Sequence, residues 1–285
     1  MRDFRFLKPD GLSDVLEARD GERENARILA GGTNLLSYIK MGRVKTGLLV
    51  DISRLDELKK IEEQDSMLSI GASLTIGELL ESTLLRRQLP CLFESLKLFA
   101  NPLIRGKATI GGNIADASPI ADTVPILLVL EAKVRLKKKG GERIVELSDF
   151  FVGPGRTTLE DDEVLSDVLI PVPKEGDATF VKIGLRRGTV CSVTSAAARV
   201  RLEQGKLTNL RVSLGGVAPT PVRARHCEQA LEGLTLEDRV IAGSIKALQK
   251  DINPISDVRG SAEYRRAVSE KLVVRALKQA AGMEV

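Results

Sequence analysis

The sequence predicts an α+β protein of three modules, and three observations predict it. Strand-like and helix-like periodicities interleave through the first 173 residues. Two glycine-pair turns, Ala30-Gly31-Gly32-Thr33-Asn34 and Thr109-Ile110-Gly111-Gly112-Asn113, each follow an apolar stretch. The segment Pro171-Val172-Pro173-Lys174-Glu175-Gly176-Asp177 reads as a linker, after which strands come first and helices dominate to the end. At 285 residues the chain exceeds the roughly 150 residues of a typical domain. The expected modules are 1–55, 56–173 and 174–285.

In the first module, Ser13 reads as an N-cap with Asp14 and Glu17 in the first helical turn. A strand over 27–30, a helix over 34–41 and a strand over 48–52 complete a small βαβ-like unit. The second module opens with a strand at 67–70, the capping box Thr75-x-x-Glu78 and a helix over 84–99. After the second glycine pair, Ser118-Pro119 supplies an N-cap and N1 proline for a helix over 120–130. A hairpin over 133–147 and a strand over 164–171 follow. In the third module, strands at 179–185, 193–202 and 207–214 precede helical periodicities at 224–231, 236–248 and 262–281: an antiparallel sheet with a three-helix layer.

A Gly-Gly pair lets backbone N–H groups converge on an anion with no Cβ in the way. Gly31-Gly32 joins a strand end to a helix start, where unpaired N–H groups and the helix dipole favour a phosphate. Alone, the pair equally fits a ligand-free βα turn. A second such loop suits a ligand with two phosphates, and the chain reads as a dinucleotide binder.

Composition excludes several other classes. Hydrophobic residues at 43% and charged residues at 29% argue against disorder or a fibre. The longest apolar stretch, 120–134, is broken by Asp122, Glu131 and Lys133, and Met1-Arg2-Asp3-Phe4-Arg5 lacks the apolar core of a signal peptide. No membrane insertion and a cytoplasmic location are therefore expected. Cys91, Cys191 and Cys227 are widely spaced and never C-x-x-C, which argues against a cluster or zinc on this chain. A net charge of +4, 3% aromatics and no Trp argue against nucleic-acid binding.

Other motifs carry less. Gly153-Pro154-Gly155 is an ordinary turn, and Gly106-Lys107 lacks the remainder of a P-loop. His226, with Cys227 beside it rather than a turn away, supplies neither a metal site nor a nucleophile–base pair. Asp257, Arg259, Tyr264 and Arg265 read as an ion-paired start to the last helix.

Taken in order, Leu29-Ala-Gly-Gly-Thr-Asn-Leu-Leu36, Ile104-Arg105, Ala108-Thr-Ile-Gly-Gly-Asn-Ile-Ala115 and Ala117-Ser-Pro-Ile-Ala-Asp122 closely resemble the FAD-binding medium subunit of molybdenum hydroxylases, the xanthine dehydrogenase and aerobic carbon monoxide dehydrogenase family. Asp162-Glu-Val-Leu165, Ile170-Pro171, Leu214-Gly-Gly-Val217 and Asp257-x-Arg259-x-Ser261-x-x-Tyr264-Arg265 extend the likeness over nearly the whole chain. The resemblance implies FAD held between the first two modules, with the third closing one side. It also implies partner subunits: a molybdopterin large subunit, an iron–sulfur small subunit with two 2Fe-2S clusters, and a dimer of heterotrimers in which this chain is the electron outlet.

By the same resemblance, Ala30, Gly31, Gly32, Thr33, Asn34 and Leu35 wrap one side of the diphosphate, and Thr109, Ile110, Gly111, Gly112 and Asn113 the other. Asp116 and Asp122 reach ribityl or ribose hydroxyls, Phe99 and Leu165 pack beside the flavin, and Lys182 approaches its polar edge. Where many members place an acidic or aromatic pair, this chain has Thr189-Val190. The resemblance leaves the acceptor open among NAD, quinone, ferredoxin and oxygen. Two alternatives use the same loops: a stand-alone flavin reductase, with Cys191 or Ser192 as proton donor, and a non-enzymatic flavin-binding assembly protein.

Overall fold

A computed structural model describes residues 4–173, 176–186 and 191–283. The run Leu48, Leu49, Val50 is buried, as befits a strand covered on both faces. Strand Leu48–Asp51 lies at the centre of a parallel sheet, between Arg5–Leu7 and Ala26–Leu29. The edge strand Arg5–Leu7 escapes the sequence reading because two of its three side chains are exposed and leave no alternation to find. Helix Leu12–Glu22 starts earlier than its Ser13 signal suggests. Gly11 occupies the N-cap without a side-chain cap, and Asp14 instead accepts the Asp10 N–H at 2.9 Å.

The second module is a five-stranded antiparallel sheet in the order Ile61–Gln64, Met67–Gly71, Val164–Pro171, Lys133–Lys138, Gly141–Glu146. Both halves of the Thr75/Glu78 capping box form. The helix expected over 84–99 is two, Thr83–Gln88 and Pro90–Lys97, because Pro90 has no N–H to continue the first and takes N1 of the second. The helix expected from 120 begins at Thr123, as Thr123–Val129, with all seven residues buried. The Pro119 carbonyl, which would accept the first helical N–H, is committed to the N–H of Gly216 at 2.7 Å. Ser118 and Pro119 therefore form a turn that ties this module to the third.

In the third module four antiparallel strands run in the order Asp177–Ile183, Thr194–Glu203, Lys206–Gly215, Val222–Arg223. Gln204 and Gly205, both at positive φ, turn the long hairpin. Helices Arg225–Leu231, Asp238–Ser244 and Ala262–Ala280 bury their apolar faces with the sheet. The helix expected over 236–248 ends at Ser244 and tightens into the 3₁₀ segment Ile245–Lys250. Arg265, 2% exposed, donates to the carbonyls of Val193 and Gly216 and to Asp257. Arg259 also pairs with Asp257, so this cluster is the ion-paired helix start read from the sequence. Thr189-Val190 lies outside the described residues.

Candidate functional site

The strand Ala26–Leu29 ends in the first glycine pair, which feeds helix Leu35–Lys40. Among the described residues no acceptor pairs with the backbone N–H of Gly31, Gly32, Thr33, Asn34 or Leu35. Five consecutive donors without acceptors at a helix start suit an anion. Gly32 holds φ +68°, a conformation glycine adopts freely. Gly31 meets a different demand, since a Cβ there would stand 1.8 Å from the Lys107 carbonyl oxygen. Its missing side chain lets the first module close onto the second.

The second glycine pair differs. Thr109 caps helix Ile110–Ala115 through its hydroxyl, which accepts the Gly112 N–H at 3.0 Å. The N–H groups of Ile110, Gly111 and Asn113 go to the carbonyls of Leu74, Ala72 and Thr109, each at 3.0 Å. The first loop thus leaves its backbone N–H groups without acceptors among the described residues, whereas the second spends its own within the protein. The second supplies a close-fitting wall: a Cβ at Gly111 would meet Ala72 at 2.5 Å, whereas one at Gly112 would meet only the Thr109 hydroxyl.

Both loops border one cavity of about 590 Å³, a size typical of ligand clefts. Ala30, Gly31, Gly32, Thr33, Asn34 and Leu35 line it, as do Phe99, Thr109, Gly111, Gly112, Asn113, Asp116, Asp122 and Leu165. Ile110 does not; it is fully buried in the second module's core, the natural place for a branched apolar side chain at N1 of a helix packed on a sheet. Lys182 is also off the lining, behind Asp122, to which it donates at 2.7 Å.

Polar groups around the cavity are braced across modules. Asn34 donates its side-chain amide to Asp116 at 2.8 Å, linking the two glycine loops. Burial pushes the Asp116 carboxyl up from its ordinary value, against the opposing hydrogen bonds from Asn34 and Tyr38. Asn113 accepts the Thr123 hydroxyl at 2.6 Å, which leaves its amide N–H groups to donate. Asp122 takes Lys182 on one oxygen and the Ser192 hydroxyl on the other. Sequence reasoning missed Arg27, Ile28, Tyr38 and Leu159 on the lining, which also includes the exposed Cys191. Tyr38 had a signal, lying one helical turn after Asn34.

Fold and site together define a chain that encloses a cleft bordered by residues of its first two modules, with unspent backbone N–H groups at a strand–helix turn. The chain belongs to the family described as the FAD binding domain in molybdopterin dehydrogenase, whose model matches residues 2–173; residues 179–280 match the CO dehydrogenase flavoprotein C-terminal domain. It is 34% identical to the xanthine dehydrogenase FAD-binding subunit of Escherichia coli, covering 92% of each chain. It is 31% identical to the carbon monoxide dehydrogenase medium chain of Hydrogenophaga pseudoflava, over 97% of this chain and 96% of the relative. The solved carbon monoxide dehydrogenase from Hydrogenophaga pseudoflava superposes with TM-score 0.94 at 31% identity, covering 99% of this chain and 98% of that one. Quinoline 2-oxidoreductase from Pseudomonas putida 86 superposes with TM-score 0.93 at 27% identity, covering 99% and 98%.

The residues present fit this family's cofactor. The unspent N–H groups of residues 31–35 suit a diphosphate, and the carboxylates of Asp116 and Asp122 suit hydroxyl donors. Among the described residues no group of His, Cys, Asp and Glu could hold a metal ion, and no helix is long and apolar enough to cross a membrane.

Proposed function

We propose that this chain is the flavin-carrying electron outlet of a cytoplasmic, heteromeric molybdenum hydroxylase. A molybdopterin large subunit oxidises the substrate, a small subunit with 2Fe-2S clusters relays single electrons, and this chain hands them to the final acceptor, within a dimer of heterotrimers. FAD supplies the chemistry of accepting single electrons and releasing them singly or in pairs. Modules 1–55 and 56–173 hold it, and module 174–285 covers one side. The observation that carries the reading is the single cavity bordered by both glycine loops, with five N–H donors lacking acceptors among the described residues.

This chain's residues bind and orient. The backbone of Gly31 to Leu35 meets the diphosphate; Gly111 and Gly112 bring the opposite wall close; Asp116 and Asp122 accept hydroxyl hydrogen bonds; Phe99 and Leu165 exclude water beside the ring. Lys182 acts through Asp122, holding that carboxylate in place. Next to the cavity, Leu98, Leu103 and Ile104 are exposed at 46%, 85% and 37%. An apolar segment that includes the short helix Pro102–Arg105 and is continuous with the cavity lining at Phe99 and Ile104 suits burial against the iron–sulfur partner.

The test is reduction by that partner. In the reconstituted complex, substrate bleaches the flavin absorbance at a rate matching turnover, and Leu103→Glu slows that bleaching without changing flavin content. Flavin that stays oxidised while the clusters are reduced refutes the electron-outlet role.

A further inference from the structure

Arg27, in strand Ala26–Leu29, borders the cavity, and no hydrogen bond or ion pair within the described residues engages its side chain. Its Nε is shut off from solvent with no acceptor. The other charges on the lining are all satisfied. Arg19 donates to the carbonyls of Arg23, Ala26, Glu160 and Glu163. Glu163 pairs with Arg143, Asp116 with Asn34, and Asp122 with Lys182. A desolvated donor without an acceptor costs stability, so Arg27 is placed to meet a ligand atom.

Its position says which part of a ligand. Arg27 precedes Gly31 by four residues, about 13 Å along an extended strand, so it stands well beyond a group held by the unspent N–H groups. The lining at this end mixes the apolar Ile28, Ile52, Leu159 and Val164 with Arg19 and Glu163, whose polar groups are already engaged within the protein. A planar guanidinium beside apolar side chains offers in-plane donors to ring nitrogens and a flat face to a π system. Phosphate fits less well, because Asp161 and Asp162 lie close enough to act on neighbouring Arg19.

We propose that Arg27 holds the purine ring of the bound dinucleotide, which makes it the residue that reads the adenosine half of the cofactor. The inference rests on the FAD reading above. The test uses the full chain stripped of flavin, with wild type, Arg27→Met and Arg27→Lys titrated with FAD, and with ADP and inorganic pyrophosphate as competitors. In Arg27→Met the FAD dissociation constant rises roughly tenfold or more, and ADP weakens by the same factor. Pyrophosphate competes equally with both proteins, and the empty variant melts at or above the wild-type temperature. Arg27→Lys, which keeps the charge without the planar fork, recovers part of the loss. Unchanged FAD affinity, a parallel loss of pyrophosphate competition, or a lower melting temperature of the empty variant each overturns the assignment. A wild-type chain that binds neither FAD nor ADP contradicts the underlying reading instead.

Discussion

Replacing Gly31 with alanine tests whether this glycine serves packing between modules. The added Cβ would stand 1.8 Å from the Lys107 carbonyl oxygen, 2.6 Å from its carbon and 3.1 Å from Ala108 Cα. That segment cannot simply yield, since Ala108 donates its N–H to Ile104 at 2.7 Å and accepts from Ile76 at 2.9 Å. The two backbones must part by more than an ångström. Overpacking costs about 1–3 kcal/mol where side chains can adjust, and with backbone as the obstacle the upper value applies. About 3 kcal/mol lowers the melting temperature by roughly 6–12 °C for a unit of this size. Gly112→Ala is the control. Its Cβ meets only the Thr109 hydroxyl at 2.7 Å, and that hydroxyl can rotate away. The lost cap costs about 1 kcal/mol, offset by about 1 kcal/mol of helix propensity gained over glycine. Differential scanning calorimetry of the empty chains therefore shows a large drop for Gly31→Ala and little change for Gly112→Ala. FAD affinity nevertheless falls in the latter, because Gly112 lines the cavity. A Gly31→Ala chain that melts with the wild type rules out a packing role for Gly31 between the modules.

Three further outcomes follow from the structure. Burial raises the Glu163 carboxyl, but hydrogen bonds from Arg143 and the Glu160 N–H outweigh it and hold the group below its ordinary value. The stability it contributes is thus present above the ordinary carboxylate range and lost as pH falls through the lowered value. Glu163→Gln lowers stability at pH 7 and flattens the acid side of a denaturation-versus-pH curve; an unaltered acid limb contradicts this. Burial pushes the Cys91 thiol up to about 11 and the Cys227 thiol up to about 12, so a thiol reagent at pH 8 labels the exposed Cys191 first. Added FAD slows that labelling because Cys191 borders the cavity, and mass spectrometry of the peptides reads both effects. Asp122→Asn removes the ion pair between Asp122 and Lys182; it lowers both the melting temperature and FAD retention, and unchanged values in both argue against the brace.

Much of this architecture was legible because strong local signals agreed with tertiary structure. Strand Val164–Pro171 has the bounds its apolar run sets, and the Thr75/Glu78 box forms as spaced. What escaped had physical causes outside local pattern. The helix start at Thr123 depends on a hydrogen bond to Gly216, ninety-odd residues away, and the edge strand Arg5–Leu7 exists through pairing with Leu48–Val50. In the site, the glycine pairs drew attention to the cavity that both loops border, but their chemistry diverges: one leaves its N–H groups unspent and the other consumes them on Leu74, Ala72 and Thr109. No spacing rule separates those cases. Arg27 carried no motif at all, and only the missing acceptor makes it visible.

Flavin binding is read from the visible absorption spectrum of the purified full chain, followed by chromatography of whatever chromophore heat or acid releases. The expected result is a flavin spectrum and a released compound that co-elutes with FAD. A colourless chain that also fails to bind added FAD contradicts it.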